Sequence, residues 1–256
     1  NESNKIYATI ILDISTPTIP GLDTITSPTN ISPQILSGTK EVNSSILING
    51  TEVISLNSST DWSYSYNLSE GANNISITSR DAASNESLSI TANIILDAIS
   101  PMVPTINSII SPTNISTQIL SGTKEADTSI LINGAEVIPI NSETTWSYSL
   151  HLTEGTNSIF ITSCDTAGNE SSSVSTTIVL DISTPEIPTL NNVTSPTNIS
   201  PQILSGTKET NTSIWINGVE VVPLNSSTDW SYSYNLSEGA NNISITSRDA
   251  AGNKSL

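Results

Sequence analysis

Apolar and polar residues alternate with a period of two through much of the chain, the spacing that puts every second side chain on one face of a β-strand. The run Trp62-Ser-Tyr-Ser-Tyr-Asn-Leu68 predicts a strand with Trp62, Tyr64, Tyr66 and Leu68 facing inward. Ile75 and Ile77 mark the inner face of the next strand, and Ile90, Ala92, Ile94 and Leu96 that of the last. Gln34–Thr39 predicts a core strand ended by its glycine. Asn49-Gly50 lies between two apolar runs and predicts a type I′ hairpin, because both residues accept a positive φ. No stretch has the 3.6-residue periodicity of an amphipathic helix.

The same elements return at a fixed distance. Ser27–Glu41 recurs with one change as Ser111–Glu125 and again as Ser195–Glu209, which sets a period of 84 residues. A unit of this length is a whole small domain rather than a solenoid turn. About seven short strands per unit, separated by turn residues, predict tandem immunoglobulin-like β-sandwiches, an all-β fold. The boundaries are 1–13 for a final strand belonging to a preceding or neighbouring-copy domain, 14–97 and 98–181 for two whole domains, and 182–256 for a third without its final strand. The segment Asn1–Asp13 has the register of Asn85–Asp97, with Ile6, Ala8, Ile10 and Leu12 on its apolar face. Two arrangements account for these ends. Either the chain is a window on a longer array of repeats, or copies join end to end and Asn1–Asp13 of one fills the incomplete sandwich of the next. Without an initiator Met, the chain reads as a mature or excised segment.

Each unit is joined to the next by a link such as Asp13-Ile-Ser-Thr-Pro-Thr-Ile-Pro20, repeated at Asp97–Pro104 and Asp181–Pro188. Two prolines three residues apart fix φ at each and favour extended conformations before them, so a short semi-rigid link is expected.

Composition narrows the function classes. With 7 basic and 24 acidic residues, the net charge of −17 argues against nucleic acid and against an anionic membrane surface. No apolar run has the length of a membrane span. One cysteine, Cys164, excludes an intrachain disulfide, and it stands where the other copies have Arg80 and Arg248, which predicts a solvent-facing side chain. The single histidine, His151, has no repeated partner, and no nucleophile–base–acid set is present. No enzyme is expected.

Taken together, Leu-Ser-Gly-Thr-Lys-Glu, the Trp-Ser-Tyr strand, the Asp-x-Ala-Gly-Asn loop and the Pro-x-x-Pro link resemble the bacterial immunoglobulin-like repeats of large surface adhesins and extracellular fibres. The resemblance implies a cell-surface stalk or filament whose partners are further repeats or further copies. It also implies Ca²⁺ at the domain junctions, carried by Asp13, Asp97 and Asp181 with Asp81, Asp165 and Asp249, joined by Glu41, Glu125 and Glu209. The competing reading of each loop aspartate is a cap on its own turn. The first loop departs from the pattern, with Ser84 where the others have Gly168 and Gly252.

Three further features bear on function. Trp215 replaces Leu47 and Leu131 and is the aromatic to test as a carbohydrate or other ligand contact, the mark of a multivalent binding module or of accessory domains in a secreted enzyme. Lys40, Lys124 and Lys208 invite comparison with the intramolecular Lys–Asn bonds of pilus sandwiches. Glycosylation triplets begin at Asn30, Asn67, Asn74, Asn114, Asn198 and Asn242.

Overall fold

The computed structural model describes residues 5–256 and is all β among them. The first repeat contains β1 (Gln34–Thr39), β2 (Ser44–Ile48), β3 (Thr51–Asn57), β4 (Asp61–Tyr66), β5 (Gly71–Arg80) and β6 (Ile90–Leu96). Two sheets form the sandwich, an antiparallel pair β1-β4 and a four-stranded sheet β3-β2-β5-β6. The second repeat has the same plan, with β7 (Thr117–Thr123), β8 (Thr128–Ile132), β9 (Ala135–Asn141), β10 (Thr145–His151), β11 (Gly155–Cys164) and β12 (Val174–Leu180). In the third, β13 (Gln202–Thr207) pairs with β16 (Asp229–Tyr234), while β14 (Thr212–Ile216), β15 (Val219–Asn225) and β17 (Ile245–Arg248) form a three-stranded sheet.

The chain divides into two compact units. One is Asn1–Pro101 with Cys164–Glu170, and the other is Met102–Ser163 with Ser171–Leu256. The core of the first unit is Leu36 and Trp62 from one sheet against Ile46, Ile48, Ile75, Ile77, Ile94 and Leu96 from the other. The period-two expectation holds here for Trp62, Leu68, Ile75, Ile77, Ile94 and Leu96, with Tyr64, Tyr66 and Ile90 half-buried against them. In the second unit one core is built on Leu120, Trp146, Ile159 and Ile178, and a smaller one on Leu204, Ile214, Ile216 and Trp230.

The Asn-Gly hairpins are as expected, with Asn49 at φ 51° and Gly50 at φ 77° joining β2 to β3. Gly38 does not end its strand. It lies inside β1, where a β-carbon would stand 2.1 Å from the Gly21 carbonyl oxygen. The glycine is needed because the incoming segment lies against β1 at this point, held by Gly21 N–H donating to Thr39 O and Asp23 N–H to Ser37 O, both at 2.8 Å. With that segment counted beside the six strands, the expected number of about seven is reached. Trp62 Nε1 donates to the same Gly21 oxygen at 3.1 Å, so the core tryptophan satisfies the carbonyl that the glycine admits.

Residues 5–13 do not form a strand in the chain, and Ile6, Ile10 and Leu12 are exposed. A strand needs a neighbouring strand for its N–H and C=O groups, and none among the described residues pairs with this segment. Asn1–Asn4 of the expected strand lie outside the described residues.

Candidate functional site

The features that repeat and are not explained by the cores converge on the links between repeats. The link Asp181–Pro188 lies wholly within the second unit. Pro185 and Pro188 are buried. Between them, the Glu186 main chain is gripped on both sides. Its N–H donates to Glu209 Oε2 at 2.9 Å, and its carbonyl accepts from Ser247 Oγ at 2.9 Å. Upstream, Ile182 N–H donates to Glu154 Oε2 at 3.2 Å, and Asp181 Oδ1 accepts from Ser183 N–H at 3.0 Å, a turn closed by the aspartate itself.

The remaining contact spans two repeats. Asn253 Nδ2 donates to the Asp181 carbonyl at 2.7 Å and to Asp249 Oδ2 at 2.9 Å, while Asp249 Oδ1 accepts from Asn253 N–H at 2.9 Å. One carboxamide therefore uses both its hydrogens, one to hold its own loop and one to hold the end of the preceding repeat. The backbone turn that delivers it needs Gly252 at φ 94°. A β-carbon at Gly252 would also sit 3.7 Å from Asn114 Nδ2 of the preceding repeat, so the loop packs close.

The first unit repeats this chemistry. Asn169 Nδ2 donates to the Asp97 carbonyl at 2.8 Å and to Asp165 Oδ2 at 2.9 Å, and Asn85 Nδ2 reaches the Asp13 carbonyl at 3.2 Å. Glu70 Oε2 accepts from Ala98 N–H at 3.1 Å, and Glu41 Oε2 from Thr18 N–H at 2.8 Å. In the second unit Glu125 takes Met102 N–H at 2.9 Å.

These positions show what each sequence-predicted acidic residue does. Asp81, Asp165 and Asp249 cap their own loops, Asp13, Asp97 and Asp181 close link turns, and Glu41, Glu125 and Glu209 hold the residue after the first link proline. Calcium takes six to eight oxygen ligands. No three His, Cys, Asp or Glu side chains among the described residues are grouped to hold a metal ion, and the loop carboxylates face N–H donors. The hydrogen bond from the Asn85 carboxamide, reinforced by backbone N–H groups, holds the Asp81 carboxyl below its usual 3.8. This support is present above the ordinary carboxylate range and is lost as pH falls through the lowered value.

The asparagine is the residue that sequence reasoning passed over. Its signal was present, since Asn85, Asn169 and Asn253 close the loop motif in every copy, but an asparagine in a turn ordinarily serves only that turn. Ser84 adopts the left-handed conformation of its glycine counterparts, at φ 72°. An L side chain there is strained. Ser84→Gly is expected to stabilise the first repeat by about 1 kcal/mol, a rise of roughly 5 °C in its calorimetric transition.

The other candidates fall elsewhere. Trp215 lies on the face of β14 away from the core, its ring 4.1 Å from the Arg248 guanidinium and its Nε1 donating to Ser213 Oγ at 3.0 Å. The outward position explains how Trp replaces Leu without overfilling the sandwich. Cys164 is half-buried rather than fully solvent-facing, as are Arg80 and Arg248 at the same position of the other repeats, and its Sγ lies 3.6 Å from the Asp165 carbonyl oxygen. His151 is exposed on β10. Of the glycosylation triplets, Asn67, Asn74, Asn198 and Asn242 are exposed away from loop contacts, whereas Asn30 and Asn114 carry carboxamides that face Gly168 and Gly252.

The lysines are buried. Lys40 Nζ donates to the carbonyls of Ser59, Ser44, Asn57 and Glu41 at 2.8, 2.9, 3.2 and 3.4 Å. This geometry does not make a Lys–Asn bond, since the ammonium meets the main-chain oxygen of Asn57 while the carboxamide binds Ser55 O and Ser59 N–H.

No family model matches the chain, and no curated protein matches it. Among solved structures it resembles the fibronectin(III)-like modules of CbhA from Clostridium thermocellum, at 12% identity and TM-score 0.43 over 63% of this chain and 93% of that one. It also resembles the FN1-FN3 domains of chicken CNTN1, at 10% identity and TM-score 0.32 over 94% and 96%. A third likeness is to Bacteroides ovatus SGBP-B, solved with a mixed-linkage heptasaccharide, at 15% identity and TM-score 0.25 over 92% and 66%. All three are likenesses at low identity, and the sandwich assignment rests on the sheets and cores described above.

Proposed function

We propose that this chain is a structural segment of an extracellular filament or adhesin stalk, in which tandem immunoglobulin-like sandwiches act as a stiff spacer. The observation that carries the reading is the Asn253 carboxamide holding the Asp181 carbonyl across two repeats, inside a link whose prolines are buried and whose N–H groups are taken by Glu154 and Glu209. A flexible tether is built from solvated Gly and Ser, and it would have no use for these bonds. The acidic surface keeps such repeats soluble and apart, and no described helix is long and apolar enough to cross a membrane.

Stiffness can be read directly. Spin labels at Ser142→Cys and Ser226→Cys, in a Cys164→Ser background, report the distance between the second and third repeats by pulsed electron resonance. The expected distribution is narrow, and Asn253→Ala is expected to make it roughly twice as broad while leaving each sandwich folded. A broad distribution in the chain with Asn253 intact would sink the spacer reading.

A further inference from the structure

The chain has 7 basic residues against 24 acidic ones, so a place where two bases meet stands out. Lys40, Lys124 and Lys208 are buried against carbonyls, and Arg80 pairs with Glu86 at 3.7 Å. Arg248 and Lys254 stand directly opposite each other across an antiparallel bridge in the third repeat. Like charges so placed repel, and no carboxylate pairs with either among the described residues.

In the first repeat the same place holds a carboxylate. Glu86 lies opposite Arg80, accepts from Thr78 Oγ1 at 2.6 Å through Oε1, and meets Arg80 Nη2 at 3.7 Å through Oε2. The third repeat keeps both receiving residues, as Thr246 and Arg248, and has Lys254 in place of the carboxylate. Arg248 turns instead over the Trp215 ring, at 4.1 Å. Its Nε is buried without a hydrogen-bond partner, the one side-chain atom among the described residues so placed. A buried donor of this kind calls for an acceptor. The second repeat has neither the cations nor the aromatic, with Leu131, Cys164 and Glu170 at these positions.

We propose that the outer face of the third repeat's sheet binds an acidic saccharide, with a uronate carboxylate taken by Arg248 and Lys254 and a sugar ring packed against Trp215. The register puts these groups on one surface. Trp215 pairs with Glu220 on β15 and with Thr246 on β17, while Ser213, two residues before Trp215, pairs with Arg248. Paired residues share a face, so Glu220, Trp215, Thr246, Arg248 and Lys254 lie side by side across the strands. From Glu220 to Lys254 is three strand spacings, roughly 14 Å, a reach that suits an oligosaccharide better than a single small ion. Trp215 is half-buried, so part of its indole stays at the surface beside the guanidinium, where the C–H groups of a sugar ring can pack.

Glu220 is exposed and decides between kinds of ligand. A sugar with a single carboxylate brings hydroxyls that donate to Glu220 while its charge sits on the cations. An acidic peptide brings more negative charge to Glu220 and to a chain of net charge −17. The stalk needs no ligand, so this site gives one repeat a second task.

The test is calorimetric titration of the full 256-residue chain with a tetrasaccharide of three glucoses ended by one glucuronate, beside its neutral counterpart cellotetraose. The expected result is a dissociation constant of about 0.1–1 mM for the acidic sugar, weakening as salt is added, and at least about tenfold weaker binding of the neutral one. Trp215→Leu and Lys254→Glu install the residues that the first repeat carries at these positions, so circular dichroism stays unchanged. Each is expected to weaken binding about tenfold or more, Lys254→Glu because the new carboxylate occupies Arg248 itself. No binding up to about 10 mM, or equal binding of cellotetraose, overturns the proposal. An affinity left unchanged by either variant overturns it as well, since the sugar would then sit elsewhere. Tetraglutamate binding as tightly as the acidic sugar would make the surface a protein contact and overturn the choice of ligand.

Discussion

Gly122→Ala is expected to melt the second repeat roughly 15 °C below its unaltered transition, with the other repeats unmoved in calorimetry of the same chain. The methyl would meet the Thr105 carbonyl oxygen at 1.9 Å and the Trp146 Nε1 at 3.0 Å, and neither can yield cheaply. The carbonyl belongs to a backbone pinned to the strand by Thr105 N–H donating to Thr123 O at 2.9 Å and Asn107 N–H donating to Ser121 O at 2.8 Å. Moving it also breaks the bond from Trp146 Nε1 to Thr105 O at 3.1 Å, which leaves a buried indole N–H without its partner. Overpacking of this kind costs about 3 kcal/mol, and the lost hydrogen bond adds about 1 kcal/mol. Part of this is returned because alanine has fewer unfolded conformations than glycine, by about 0.5–1 kcal/mol. The net is about 3 kcal/mol, which for a domain of this size is the predicted temperature shift. Trp146→Phe, which loses the bond but adds no atoms at the glycine, should move the transition by about a third as much. Equal shifts for the two variants would show that the close approach is not the reason for the glycine.

That glycine marks where sequence reading stopped. Strand positions, inward faces and hairpins were legible because alternation and Asn-Gly turns are local properties, decided within a few residues. Trp62 could be placed inward from its own strand, but its carbonyl partner is Gly21, 41 residues earlier, and nothing between them announces the pairing. Gly38 in Leu-Ser-Gly-Thr likewise looked like a strand end, because its purpose is set by a segment that approaches from upstream. The junction was half legible. The Pro-x-x-Pro links and the loop motif were visible as repeats, and the acidic residues drew the eye as charges. The side chain that bridges repeats is an amide, and it works through a main-chain carbonyl that no residue pattern encodes.

The lysines show the same limit in a buried charge, and they lead to the second large effect. Lys40 sits between β1 and β2 with its side chain buried, and the groups that face its ammonium are carbonyls from three segments rather than a carboxylate. Burial lowers its pKa below the usual 10.5. The folded state therefore bears a cost for keeping the proton. That cost is full below the lowered value and is relieved as pH rises from there towards 10.5. Against it stands what the ammonium does. It ties the Ser59 carbonyl, the turn before β4, to the Ser44 carbonyl of β2, and the backbone Lys40 N–H adds a bond to Thr60 O at 2.7 Å. Lys40→Met keeps the stem and its packing, removes the desolvation cost, and leaves these carbonyls facing an apolar tip. Since an unmet buried acceptor costs about 1–3 kcal/mol and more than one is left, the loss outweighs the relief. The expected result is a repeat about 2 kcal/mol less stable, melting roughly 10 °C lower, with Lys5→Met on the exposed segment giving no shift. Raising the pH towards 10.5 should then widen the difference between variant and parent, because the parent is relieved of its cost while its neutral amine still donates two hydrogens to the same carbonyls. If Lys40→Met were as stable as the parent, water would have to replace the ammonium, and the lysine would be a filler of volume rather than a clasp between sheets.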